Sequence, residues 1–349
     1  MRRGAVSLGA AVLVTNPIRS AGQTPPRRLG IGMHSYGTHW QEGARGTPGS
    51  GFRGPMDFLR HARALGAGGI QVAIGHQPED ALRELRSATA ETGLYLEAQA
   101  ALPADEADVA RFEREVRCAR AAGADVMRTA LLSGRRYETF RTLAAFREFE
   151  QRCARSLALA EPILRRHRLR LALENHKDWL VPELLGWMRR FSSEWLGICV
   201  DTGNSLALLE DPLEVVEAYA PFAASTHLKD MAMGHCDDGF LLAEVPLGRG
   251  CLDLRRIVAT VERANPRIRW NIEMITRDPL RVPCLTSGYW GALPGLRASQ
   301  LAAALERAAR QARPESLPRV AGLDMAARLQ LEDQNVRLCL AYGREVLGR

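Results

Sequence analysis

Four short apolar runs, each ending in a residue able to bind a metal, constrain this chain more than any other feature. Leu169–Glu174 reads L-R-L-A-L-E, Trp195–Asp201 reads W-L-G-I-C-V-D, Ala223–His227 reads A-A-S-T-H, and a fourth run, I-R-W-N-I-E, ends at Glu273. Side chains alternate along a strand. Glu174 therefore shares a face with Ala172, Asp201 with Cys199 and Gly197, and His227 with Ser225 and Ala223. Leu171, Leu173, Ile198, Val200 and Ile272 face the other way. Parallel barrel strands need this pattern, with apolar residues outward under helices and a polar residue inward at the C-terminal end. Two Glu, one Asp and one His then converge on one rim.

The rest of the chain alternates strand and helix. Strands are expected at Leu29–Tyr36, Gly69–Ile74, Leu94–Gln99 and Asp125–Ala130, with a Gly-rich loop over the site from Gly37 to Gly54. Helices are expected from Pro55 to about Leu65, Pro78 to Thr92, after the cap Asp105, over Thr139–His167, and from Pro182 to Phe191. Asp211-Pro212-Leu213-Glu214 reads as a capping box with proline at the first helical position, and Asp253 as another cap. Thr276–Arg297 is too long for a bare connector, and two final helices cover roughly Ala298–Ala312 and Met325–Leu347. Such alternation over about 270 residues predicts a closed (β/α)8 TIM barrel over 28–312, with a C-terminal helical appendage over 313–349. An open dinucleotide-binding sheet would carry G-x-G-x-x-G after its first strand, and that motif is absent.

Charge invites a different partner and then withdraws it. The net charge is +7, but the arginines are spread along helices rather than gathered into one basic run, so nucleic acid is not an expected partner. Of 47 basic residues only Lys177 and Lys229 are lysines, and both flank the proposed site. Seven cysteines without C-x-x-C exclude a zinc ribbon and argue against a disulfide framework. Residues 1–27 have the order of an export signal, with Arg2-Arg3 resembling the end of a twin-arginine signal. Export to the periplasm is the expectation, and a disordered tail on a cytoplasmic protein the alternative. The apolar run there is too short for stable membrane insertion.

One imidazole and three carboxylates suit one hard-to-borderline divalent ion, Mn, Mg, Co or Zn. An open carboxylate-rich site on a barrel rim suits an ion that also holds substrate oxygens. Two Glu can then serve as base and acid on the carbon between two sugar oxygens, through an enediolate.

L-A-L-E-N-H at 171–176, C-V-D-T-G-N at 199–204, T-H-L-K-D at 226–230, V-P-L-G-R-G at 245–250 and N-I-E-M-I-T at 271–276 resemble the xylose isomerase-like barrel superfamily of sugar phosphate isomerases and epimerases. The likeness runs from about Leu29 to Pro279. It implies that Glu174, Asp201, His227 and Glu273 bind one metal, that Glu174 and Glu273 move the proton, and that His176 and Arg249 contact substrate. His34, which ends the first strand, and Lys229, which shares the inward parity of His227, are further substrate-binding candidates. The implied function is a sugar or polyol isomerase or epimerase. Inosose-type dehydratases share the D-T-G and H-L-K-D segments, so a keto-polyol dehydratase is the alternative, and a non-catalytic carbohydrate-binding barrel the third reading. The apurinic endonucleases of the superfamily hold three zinc ions, but Asn204, Leu242 and Glu244 stand where this chain would need further ligands. A small sugar or polyol is the expected partner, and a homo-oligomer is left open.

Overall fold

A computed structural model describes residues 28–46, 51–311 and 317–349. The export-signal expectation falls on residues outside these. The strands are β1 (Gly30–Gly32), β2 (Gly69–Ala73), β3 (Tyr95–Gln99), β4 (Val126–Thr129), β5 (Arg170–Glu174), β6 (Leu196–Asp201), β7 (Ala223–Leu228), β8 (Asp230–Cys236), β9 (Gly239–Val245), β10 (Asn271–Ile272) and β11 (Leu280–Val282). The helices are α1 (Gly37–Arg45), α2 (Pro55–Ala64), α3 (Glu79–Thr92), α4 (Val109–Ala121), α5 (Arg136–Thr139), α6 (Leu143–His167), α7 (Val181–Phe191), α8 (Pro212–Tyr219), α9 (Leu254–Ala264), α10 (Ser287–Trp290), α11 (Ala298–Arg310) and α12 (Met325–Tyr342). Eight parallel strands close in the order β1-β10-β7-β6-β5-β4-β3-β2, and β11-β9-β8 form a separate three-stranded antiparallel sheet.

The helix starts follow the capping residues in the sequence. Asp105 accepts from Asp108 N, Asp211 from Leu213 N and Glu214 N, and Asp253 from Arg256 N, at 2.9–3.2 Å. Outward strand residues Leu171, Leu173, Ile198, Val200 and Ile272 join the main core under the helices, fully buried. Burial of each such side chain contributes about 1.5–3 kcal/mol. Inside the barrel Ala172, Cys199 and Ala224 form a small apolar floor.

Three local expectations change. The first strand ends at Gly32 and continues as a 3₁₀ turn over Met33–Tyr36. Ser35 explains the switch, since its Oγ donates to Ile272 O at 3.1 Å and accepts from Met274 N at 3.0 Å, taking over strand pairing with its side chain. The segment after it begins as the helix α1 rather than a loop. Glu332 of α12 caps that helix, accepting from Thr38 N at 2.7 Å and His39 N at 3.2 Å. On β7 the pairing passes from Ile198↔Ala223 to Cys199↔Ser225, so Ala224 is an extra residue. Ser225 and His227 face inward as expected, but Ala223 joins the outer core and Ala224 the floor. That bulge requires Gly197, where a Cβ would lie 2.7 Å from the Ala224 Cβ.

The β8–β9 hairpin leaves the barrel directly after β7. Met231, Met233, Phe240 and Leu242 pack one of its faces into a second core with Leu206–Leu209 and α11, while Ala232, Ala243 and Val245 cover the other. Tyr289 and Trp290 belong to that second core, Tyr289 donating to Ala207 O at 2.9 Å. Trp40 packs on Phe52 and Phe58, in a ring cluster with Tyr36, His39 and His61.

Candidate metal centre

The strand ends carry the four expected ligands to one place. Asp201 pairs in register with His227, His227 with Asn271, and Glu174 with Cys199, so neighbouring strands present their last inward residues at one level. Glu174, Asp201, His227 and Glu273 are all buried, and one ligand atom from each lies within 4.8 Å of every other. His227 Nδ1 stands 3.6 Å from Glu174 Oε1, 3.7 Å from Asp201 Oδ2 and 3.3 Å from Glu273 Oε2.

Gln71 on β2 decides which imidazole nitrogen faces the carboxylates. Its amide Nε2 donates to Glu97 Oε2 at 3.1 Å and Ser225 Oγ at 3.0 Å, so its Oε1, 2.6 Å from His227 Nε2, must accept. His227 therefore donates from Nε2 and turns Nδ1 toward the carboxylates, the nitrogen that would give up its proton to take a metal. Nδ1 is a buried atom without a hydrogen-bond partner, and buried Asp201 Oδ2 is met by the Lys229 ammonium at 3.1 Å. Burial alone would lower the His227 pKa, yet Cys199, Glu273 and Asp201 raise it well above the ordinary value. These acidic neighbours hold a positive charge where a divalent ion would sit, and the donor set fits one.

The second layer is built as tightly. Glu97 Oε2 also accepts from Ser225 Oγ at 2.6 Å and Asn271 Nδ2 at 2.9 Å, and burial raises its pKa. Asn175 bridges two strands, donating to Asp201 O at 2.9 Å and accepting from Asp201 N at 2.7 Å. Asp201 Oδ1 accepts from Gly203 N and Asn204 N at 2.9 and 2.8 Å, which aims its other oxygen into the centre. Asn204 Nδ2 donates to Glu174 Oε1 at 3.1 Å.

Cations flank both glutamates. Arg128 on β4 contacts Glu174 Oε2, and Lys229 Nζ lies 2.6 Å from Glu273 Oε2 and 3.1 Å from Asp201 Oδ2. Burial opposes the Lys229 charge, but Asp201 and Glu273 hold its pKa above the ordinary value. His34 packs beside Gln99, its Nε2 3.3 Å from the amide nitrogen, and burial lowers its pKa to about 4 despite Glu273. His176 is half-buried, its Nδ1 enclosed and unpartnered; burial, then Lys177 and Lys229, push its pKa well down. Arg249 stands apart from these. It is exposed, and no hydrogen bond or ion pair among the described residues ties its guanidinium to the cluster. Its loop instead wraps Asp230, whose Oδ2 accepts from Gly248 N and Gly250 N at 2.9 and 2.8 Å. A Cβ on Gly250 would meet Asp230 Oδ1 at 2.2 Å.

Gln71, Arg128 and Asn204 were not among the expected site residues. Gln71 and Arg128 sit on strands without an acidic end, and only Asn204, inside D-T-G-N, lay in a segment already singled out. Leu242 lies in the second core and Glu244 pairs with Arg277, Nε to Oε2 at 3.1 Å. Neither adds a ligand, and among the described residues this is the one group of three or more His, Cys, Asp or Glu close enough to hold an ion. The seven cysteines are free.

The sequence model of a family described as xylose isomerase-like TIM barrel matches residues 59–308. The 3-oxo-isoapionate decarboxylase of Pectobacterium atrosepticum is 27% identical over 246 residues, 68% of this chain and 82% of that protein. A D-psicose 3-epimerase crystallised in the presence of D-fructose superposes with a TM-score of 0.59 at 16% identity, over 92% of this chain and all of its own. A xylose isomerase-like TIM barrel protein from Mycobacterium smegmatis, in complex with magnesium, gives 0.52 at 16% identity, over 80% and 97%. At such identities the two structures speak for the fold.

Proposed function

The chain belongs to the xylose isomerase-like TIM barrel family, and from that premise we propose that it is a sugar-modifying enzyme using one divalent ion, acting as an isomerase or epimerase on a keto sugar or polyol. The observation that carries this is His227 Nδ1, turned by Gln71 toward three buried carboxylates. The magnesium in the M. smegmatis relative and the epimerase likeness support it. A divalent ion held by Glu174, Asp201, His227 and Glu273 would supply Lewis-acid polarisation of a carbonyl and its neighbouring hydroxyl. The residues do the rest. In the order β10-β7-β6-β5, Glu273 and Glu174 stand at the two ends of the arc, with His227 and Asp201 between. A carbon held over the arc has a carboxylate on each side, one to take its proton and one to return it. Lys229 beside Glu273 balances the negative charge that builds as the enediolate forms.

A second reading is a lyase on the same centre, releasing carbon dioxide from a 3-oxo sugar acid or water from a keto-polyol. Two observations favour it: the decarboxylase relative, and the cation paired with each glutamate, Arg128 with Glu174 and Lys229 with Glu273. Incubation with ketoses, inososes and 3-oxo aldonates in deuterated water separates the readings. Deuterium at a carbon that changes configuration marks the epimerase, and carbon dioxide or water loss the lyase. Binding of metal and sugar without any product would leave a carbohydrate-binding barrel.

A further inference from the structure

One buried amine in the site has no carboxylate partner among the described residues. Of 47 basic residues two are lysines, Lys177 and Lys229, each 2% exposed. Lys177 Nζ donates to Asn204 Oδ1, and Lys229 Nζ lies 3.4 Å from the same oxygen. Two ammonium groups on one carbonyl oxygen are at most about 6 Å apart. Lys229 is balanced by Asp201 and Glu273. Lys177 is not: among the described residues no carboxylate comes within ion-pair distance of its Nζ, and Glu244, the acid that influences it most, is engaged by Arg277. Buried and half-buried arginines near the site have carboxylates, Arg128 with Glu174, Arg136 with Glu183 and Arg277 with Glu244. A buried ammonium bonded only to a neutral amide is costly until an anion joins it.

We propose that the substrate supplies that anion: Lys177, backed by Asn204, receives a carboxylate carried by the sugar, so the substrate is an acidic keto sugar. This rests on the metal-enzyme reading, since one molecule must reach both Lys177 and the ligand cluster. Asn204 joins the two, its Oδ1 on Lys177 and its Nδ2 3.1 Å from Glu174 Oε1, a span that one sugar chain covers. The surplus is a single charge, which a carboxylate matches and a phosphate dianion exceeds.

A pH dependence follows. Burial first, then Lys229, lowers the Lys177 amine to about 7. The groups facing it are Lys229, Glu244, Arg277 and Asp201, with His176 beside it in sequence. A bound carboxylate raises the amine again, so binding takes up a proton above pH 7 and weakens as pH rises beyond it, by up to tenfold per unit.

Two lysines make the test direct. Lysine-selective ¹³Cε labelling gives two resonances, assigned with Lys177→Met, and calorimetry with bound magnesium compares 5-ketogluconate, fructose and fructose 6-phosphate at pH 6.5 and 8.5. The acid should bind at least tenfold tighter than fructose, and more tightly at pH 6.5. Lys177→Met should erase the preference without lowering Tm, and Lys177→Arg should keep part of it. Equal losses for acid and neutral sugar in Lys177→Met, or tightest binding of the phosphate, would overturn the proposal. If the wild type binds none of the three sugars, the sugar-enzyme reading fails, and acetate still decides this one. An acetate-dependent shift of the Lys177 resonance upholds the anion site, and its absence overturns it.

Discussion

Gln71 sets the chemistry of the centre although it is not a ligand. It accepts from His227 Nε2 and donates to Glu97 and Ser225, so one amide joins the imidazole to the layer below. Gln71→Leu leaves His227 Nε2–H and Ser225 without that partner. Metal affinity should fall about 10- to 100-fold, and the fold should lose about 1–3 kcal/mol. Calorimetric metal titration reads the first effect and thermal melting the second. ¹⁵N spectra of the histidine ring should show Nε2 protonated in the metal-loaded wild type and a mixture of tautomers in the variant. Unchanged affinity would mean that the carboxylates alone orient the ion. The four candidate ligands were legible in the sequence, because each closes an apolar run and needs only the two-residue period to be placed. Gln71 and Arg128 were not, since nothing local separates a polar residue that supports a metal ligand from one that lines a barrel.

At the scale of elements, α1 shows how a distant residue decides local structure. The stretch from Gly37 to Gly54 is rich in glycine and reads as a loop, but Glu332, nearly 300 residues on, accepts from Thr38 N and His39 N and contacts His39 Nδ1 at 2.8 Å. An anion at a helix N-terminus answers both its unpaired N–H groups and its dipole. Glu332→Ala should cost about 1–2 kcal/mol and speed amide exchange in Gly37–Arg45 while leaving β5 and β6 protected. Equal loosening of the whole barrel would show that Glu332 holds more than this helix. The β8–β9 hairpin escaped notice for another reason. Apolar residues lie on both its faces, so the period-two signal that marks a half-buried strand is missing there.

For the whole molecule, the centre gathers buried charge into a place that a divalent ion would fill. Three buried carboxylates face one another, met by Arg128, Lys229 and the His227 imidazole. A bound ion stabilises the folded state through mass action, by about 2.7 kcal/mol at a hundred times its Kd. Saturating Mg, Mn, Co or Zn should therefore raise Tm by several degrees, and EDTA should reverse the gain. Neither should move Tm in a Glu174→Gln, His227→Ala double variant, whose metal content should fall from about one equivalent to none. A metal-independent Tm in the wild type would remove the centre from the catalytic account. Among the described residues no helix is long and apolar enough to cross a membrane.

The sequence by itself determined the barrel and four of its rim residues. Strand–helix alternation, helix caps and period-two burial are local properties, and a closed parallel sheet is the arrangement that satisfies them all. Tertiary structure alone decided what those residues do to one another. Which nitrogen of His227 faces the carboxylates depends on an amide 156 residues away, and the facing of Ala223 and Ala224 depends on a bulge set by Gly197 and β6. Whether Lys177 has a counter-charge depends on Glu244 being taken by Arg277. Each is a competition between partners distant in sequence, and only closure of the barrel brings the competitors together.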